Sequence, residues 1–290
     1  MAEINNASSG IKQPNKFMRW LSSLGHSVVT VTSLIGDLKF FCPVNSDAEQ
    51  NYQSYLRQLF QTAFADLDYG KISGDTNATQ LRIALINVAI YAKDEPVLQA
   101  LADLYQADLI AIDAELRAPV MVAKLQQDES NIFPNFLAAY SKTSDPELRA
   151  DLLFTMGSFA TQPQHLDQLF ALLENPKIVR PQDHIFLYIY LLRNSHTRER
   201  VIQWLTTHWT YIEKLTGEKS IEDYPRYAAA LIRTPEEAKI FYDFFDSKTD
   251  DPILKRTLKI ARFEIDARLS LIASDAPAVQ EKLQKLAKQR

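Results

Sequence analysis

Cys42 is the only cysteine among 290 residues, which rules out a disulfide within the chain and a thiolate zinc cluster. Glycine is nearly as scarce, with 7 in the whole chain. No G-x-G-x-x-G, no G-x-x-x-x-G-K-S/T and no G-x-S-x-G occurs. A loop cradling phosphate through backbone N–H groups and a nucleophile elbow are therefore both excluded. The 5 histidines are His26, His165, His184, His196 and His208, and none belongs to an H-E-x-x-H. His184 and His196 stand twelve apart with no carboxylates at helical spacing to complete a zinc site. There is no excess of positive charge either: 32 basic against 36 acidic residues give a net charge of −4. The basic cluster Lys282, Lys285, Lys288 and Arg290 reads as a solvated helix end, and no nucleic-acid partner is expected. Long apolar runs are missing too. Val28 to Ile35 is interrupted by Thr30, Thr32 and Ser33 and is too short to span a bilayer. Met1 to Gly10 is small and polar, without the basic-then-apolar order of a signal peptide. The expectation is no membrane partner and a cytoplasmic location.

What is present is helix. Hydrophobic residues make up 46%, enough for a core, and the low glycine content with abundant Leu, Ala, Gln, Glu, Lys and Arg favours α-structure. Residues 1–15 read as a disordered leader or an appended remnant, and 16–290 as a single helical domain. Trp20, Leu21, Leu24, Val28 and Val31 form one face, continued by Leu34, Ile35, Leu38 and Phe41. Tyr52, Leu56, Leu59, Phe60, Ala63, Phe64 and Leu67 recur at i, i+4, i+7 and i+8, and Leu81, Leu85, Val88 and Tyr91 repeat the stripe. Prolines sit mostly between such runs. Ser73-Gly74-Asp75 is a turn, after which Thr76 or Asn77 can cap a helix. Asp145-Pro146 supplies an N-cap and an N1 proline. Thr234-Pro235-Glu236-Glu237 is a capping box. Asp251-Pro252 and Asp275-Ala276-Pro277 repeat the start signal. The runs pair as 97–109 with 113–125, 132–141 with 146–160, 164–174 with 182–194, 198–215 with 221–232, and 235–247 with 252–271. The predicted fold is all-α, HEAT-like antiparallel helix pairs forming a curved solenoid or bowl.

No catalytic constellation emerges from these elements. The carboxylate pairs Glu236-Glu237 and Asp250-Asp251 occur at helix starts, where the helix dipole accounts for them. Cys42, between Phe41 and Pro43, reads as a structural thiol with no basic neighbour to activate it. Aromatic residues crowd the segments around Trp204, Trp209 and Tyr211 and from Ile240 to Phe245, at spacings that suit a packed core. Polar aromatics beside arginine, namely Tyr188, Tyr190 and Arg193, or Tyr224, Arg226 and Tyr227, have the chemistry to hold peptide main chain or a carboxylate. The substrate-facing candidates are Tyr188, Arg193, Arg226 and Tyr227. The alternative reading of these residues is surface packing or hydrogen bonding between helices.

Several segments resemble one family in order and spacing. Lys177-Ile178-Val179-Arg180-Pro181-Gln182-Asp183 is similar to a helix-joining segment, a basic residue then x-Q-D/E, in the C-terminal domain of aminopeptidase N-type zinc peptidases. Arg200 with Trp204-Leu205, Trp209 and Ile212 resembles that family's W-x-F/L-x-x-N-W-x-x-L helix, with His208 in place of Asn. Asn194-Ser195-His196-Thr197-Arg198 replaces its N-P-x-G-R turn. Thr234-Pro235-Glu236-Glu237 through Phe244-Phe245, the closing helix with Ile260, Ile265 and Leu269, Leu116-Arg117-Ala118-Pro119-Val120, and Leu81-Arg82 through Tyr91 resemble further helices of the same domain. The resemblance covers about residues 16–287. It implies a non-catalytic domain, HEAT-like in fold, that caps a zinc-peptidase catalytic domain, encloses its chamber and contacts peptide substrate. That catalytic partner would stand in cis or as a separate chain. The resemblance implies no cofactor on this chain, and zinc in the missing catalytic part, whose G-A-M-E-N and H-E-x-x-H motifs are absent here. The alternative is a free-standing HEAT-like scaffold for a protein partner.

Overall fold

The computed structural model describes residue 36 and residues 38–70, 76–217 and 220–288. The leader at 1–15, most of the stripe from Trp20 to Phe41, and the turn Ser73-Gly74-Asp75 lie outside the described residues, as do the side chains of the caps Thr76 and Asn77. Thirteen α-helices and no β-strand occur among those described. They are α1 Asp47–Ala65, α2 Thr76–Ala92, α3 Glu95–Asp103, α4 Ala114–Gln127, α5 Glu129–Lys142, α6 Pro146–Phe159 and α7 Pro163–Leu173. There follow α8 Pro181–Arg193, α9 Arg198–Thr207, α10 Trp209–Thr216, α11 Asp223–Leu231, α12 Pro235–Phe245 and α13 Lys255–Ala287. The described residues up to 124 with those from 275 on form one compact unit, and those from 125 to 274 form a second.

The helix starts follow from local chemistry. Pro96, Pro146, Pro163, Pro181 and Pro235 all occupy N1 or N2, where a missing N–H leaves no bond unmade. Asp145 caps α6 by accepting from Leu148 N at 2.8 Å. Thr234 accepts from Glu237 N at 3.2 Å, while the Glu237 carboxylate accepts from Arg233 N at 2.7 Å. The box therefore closes one residue earlier than the usual reciprocal form. α1 starts the same way, with Ser46 accepting from Glu49 N at 3.2 Å and Glu49 from Asn45 N at 2.8 Å.

Proline is not punctuation everywhere. Pro119, Pro134 and Pro277 lie inside helices. The expected start at Asp275-Ala276-Pro277 is instead the interior of α13. Pro277 has no N–H to offer the carbonyl of Ala273, which belongs to an exposed residue. The run 198–215 is likewise two helices, α9 and α10, which break at His208.

In the first unit α1 packs against α2, and α2 against α3. The core there comprises Tyr52, Leu56, Phe60, Ala63 and Phe64 of the stripe expected on α1 and Leu81, Leu85 and Val88 of that expected on α2, joined by Ile86 and Ala89, while Leu59, Leu67 and Tyr91 are only half-buried. Cys42 is buried beside them, and burial pushes its thiol up to about 11, as suits an inert side chain. In the second unit α5 packs on α6 and α7 on α8, as the sequence pairing anticipates, and α9 packs on α11. The later helices of these pairs also stand side by side: α8 contacts both α6 and α11. At the α6–α8 contact a Cβ on Gly157 would lie 2.8 Å from Tyr190 Cβ, so only glycine permits this approach.

Candidate functional site

Helix α8 carries two of the four substrate-facing candidates, Tyr188 and Arg193, and its two faces differ in kind. The inner face is a closed polar and aromatic cluster. His184 Nε2 donates to the Leu173 carbonyl at 2.9 Å, and Nδ1 accepts from the Tyr224 hydroxyl at 2.7 Å. Because a carbonyl can only accept, these partners hold the ring neutral with its proton on Nε2. Burial pushes the His184 pKa down to about 4. Leu173 ends α7, and its otherwise orphaned carbonyl also accepts from the Tyr211 hydroxyl at 3.1 Å. Tyr188 is 0% exposed and donates its hydroxyl to the Tyr224 carbonyl at 3.0 Å. Tyr188 therefore cannot face a substrate. Its ring belongs to the core, packed at 4.9 Å from that of Tyr224, and the spacing that places it on α8 turns it inward.

The outer face of α8 presents half-exposed Phe186, then Tyr190 and exposed Arg193. Tyr190 meets Phe154 of α6 edge-on at 5.4 Å, and Phe154 meets Phe159 edge-on at 5.6 Å. On neighbouring α11, Arg226 is exposed, pairs with Asp223 at 3.1 Å and lies 4.9 Å over the Tyr227 ring. Arg226 and Tyr227 are thus brought together, and Arg193 sits on the adjoining helix. Adjacent α6, α8 and α11 supply ring edges and two exposed guanidinium groups. This is chemistry suited to peptide main chain and carboxylate.

The segments that carry the family resemblance do structural work. In the joining segment 177–183, buried Arg149 of α6 is the organiser. It donates to the carbonyls of Tyr140 at 3.0 Å and Ile178 at 3.1 Å, and pairs with Asp183 at 3.4 Å. In the turn after α8, Asn194 donates to the carbonyls of Gly157 and Ala160 at 3.1 and 2.8 Å, tying that turn to α6. Arg198 donates to the Leu192 carbonyl at 3.0 Å and faces Glu237 at 3.8 Å. Arg82 reaches the Gly70 carbonyl at 2.5 Å and Glu115 at 3.0 Å, and Arg117 reaches the Leu109 carbonyl at 3.1 Å. Sequence reasoning missed this role. Its signal was readable, since 82 to 117 is 35 residues and 117 to 149 is 32, close to one arginine per helix pair. Glu129 was also missed. It receives Thr161 N, Gln162 N, the Thr161 hydroxyl and His165 Nδ1 at 2.6–3.0 Å, binding the start of α7 to α5. These hydrogen bonds outweigh its burial and hold its carboxyl below the usual range.

Among the described residues no group of three or more His, Cys, Asp or Glu could hold a metal ion. No helix among them is long and apolar enough to cross a membrane. A family model, ERAP1-like C-terminal domain, matches residues 4–267. The chain belongs to this family. As an ERAP1-like C-terminal domain it is 26% identical over 258 residues to an aminopeptidase N of Lactococcus lactis subsp. lactis, covering 87% of this chain and 30% of that protein. It is 24% identical over 279 residues to an aminopeptidase N of Lactobacillus helveticus, covering 93% of this chain and 32% of the relative. A glutamyl aminopeptidase of Sus scrofa matches at 22% over 214 residues, or 72% of this chain and 22% of the other. The domain thus spans about a third or less of the length of these curated relatives. The resemblance read from the motifs is the family that the comparisons show.

Proposed function

We propose that this domain is the non-catalytic cap of a zinc aminopeptidase, enclosing the substrate chamber and contacting the peptide beyond its N-terminal residues. The match over residues 4–267, together with relatives named aminopeptidase N, carries this reading. In it the helix pairs build a HEAT-like wall. Arg193, Arg226 and Tyr227 on α8 and α11 face the peptide, with Phe186 and Tyr190 beside them. Zinc and the reacting groups lie in the catalytic part, in cis or on a separate chain. The domain's contribution is to orient substrate and exclude water, both of which lower a barrier without a reacting group of their own.

The test uses Lactococcus lactis aminopeptidase N from which the matched third has been removed. The truncated enzyme is assayed on peptides of graded length, alone and with this domain fused in place of the missing part. The expected result is turnover restored with a new dependence on peptide length, which Arg193→Ala and Arg226→Ala weaken through KM. Turnover equal to that of the truncated enzyme would leave the free-standing scaffold as the better reading. Zinc-dependent turnover by the purified domain alone would refute the non-catalytic role.

A further inference from the structure

Helix α13 has two apolar faces, and only one is covered. Leu254, just ahead of the helix, with Leu258, Ala261 and Ile265 at spacings of 4, 3 and 4, is buried in the second unit. Ile260, Phe263, Ala267 and Leu271, at spacings of 3, 4 and 4, form a second stripe that is open to solvent. Both spacings fall on single helix faces, so the outer stripe is as ordered a pattern as the core one. Phe263 is 75% exposed, the most exposed large apolar side chain among the described residues, and Ile260 and Leu271 are 47% and 50% exposed. Contiguous apolar surface of this kind marks a contact site.

The size of the stripe selects its occupant. Its three large side chains offer roughly 300 Å². A stable dimer of separate copies buries about 800 Å² per partner, so a second copy held by this stripe alone falls short. A covalently linked partner needs less, because tethering raises the effective concentration to about the millimolar range. The relatives supply such a partner, since some 70% of the Lactococcus lactis protein's length lies outside the part this chain covers. Arg256 and Lys259, both exposed, stand one turn before Ile260 and Phe263, while exposed Glu264 and Asp266 flank the stripe further on, Asp266 accepting from the Tyr242 hydroxyl. Arg262 on a neighbouring row is already paired with Asp246.

We propose that the outer stripe of α13 is the seat of the catalytic part of an aminopeptidase chain, which meets it with an apolar surface bearing carboxylates opposite Arg256 and Lys259. The inference rests on the proposed function above and adds the surface through which it is exercised. The probe is the fusion already described, carrying Phe263→Cys and labelled with a maleimide under peptide-resolved mass spectrometry. Buried Cys42 contributes little background. Gln203→Cys, at an exposed site on α9, is the control. The introduced thiol at 263 should react at least tenfold more slowly in the fusion than in the isolated domain, with the control unchanged. Phe263→Glu with Leu271→Glu should leave the isolated domain's melting temperature unaltered and lower that of the fusion. A fusion with restored turnover whose thiol at 263 labels at the isolated rate overturns the docking seat and leaves the functional reading standing. A fusion that neither restores turnover nor slows labelling overturns both.

Discussion

Replacing Gly157 by alanine sets two physical effects of opposite sign against each other. Gly157 lies inside α6, and alanine there gains about 0.5–1 kcal/mol of helix propensity. The new methyl, however, would sit 2.8 Å from Tyr190 Cβ and 3.5 Å from Leu187 Cδ1. The nearer atom is the root of its side chain and cannot swing away. A comfortable carbon–carbon contact needs about 3.5–4.0 Å, so α6 and α8 must part by close to 1 Å. That shift also strains the Asn194 bonds to the carbonyls of Gly157 and Ala160. Overpacking of this kind costs about 1–3 kcal/mol. The net expectation for Gly157→Ala is a loss of about 1–2 kcal/mol, and for Gly157→Val a much larger one. Urea unfolding followed by far-UV circular dichroism measures it, as a lower midpoint at unchanged slope. A midpoint that rises would mean that propensity has won, and would refute the close α6–α8 approach.

Three further outcomes follow from named contacts. Arg149→Met keeps the stem but leaves the carbonyls of Tyr140 and Ile178 and the Asp183 carboxylate without their donor, and should cost about 3 kcal/mol or more by the same unfolding assay. His184 titrates near 4 when folded and near its ordinary 6.5 when unfolded. The unfolded chain therefore binds the extra proton between those values, and stability that is full above pH 6.5 should fall by up to about 3 kcal/mol as the pH drops to 4. His184→Gln should flatten that slope, and an unchanged slope would clear His184 of the effect. Lys93 has φ 53° and stands at the end of α2, where Asp94 N donates to the Ala89 carbonyl and Lys93 N to that of Ile90. That is a glycine position held by a lysine, so Lys93→Gly should raise stability by about 0.5–1 kcal/mol.

Element type and helix starts were readable because they depend on neighbours in sequence. Asp145 and Thr234 cap α6 and α12 where the short-range signals place them, and the stripe from Tyr52 to Phe64 is the core face of α1. What escaped reading depends on partners far along the chain. Tyr188 looks like a surface tyrosine until Tyr224, 36 residues on, supplies an acceptor for its hydroxyl. Asp183 looks like a helix-start carboxylate until Arg149, 34 residues back, pairs with it. Pro277 looks like a boundary, yet α13 runs through it. Of the surface candidates, Arg193 and Arg226 are exposed and Tyr227 is half-buried.

Four buried arginines and the half-buried Arg268 have one property in common. Arg82, Arg117, Arg149, Arg198 and Arg268 all spend N–H donors on main-chain carbonyls at helix ends or in the connections after them. A carbonyl is the one acceptor that every amino acid carries. The connecting segments can therefore change residue after residue and still present the same grip, provided the backbone path is kept and the arginine remains. A domain braced in this way records its architecture in a few guanidinium groups, and its loops are left free to vary.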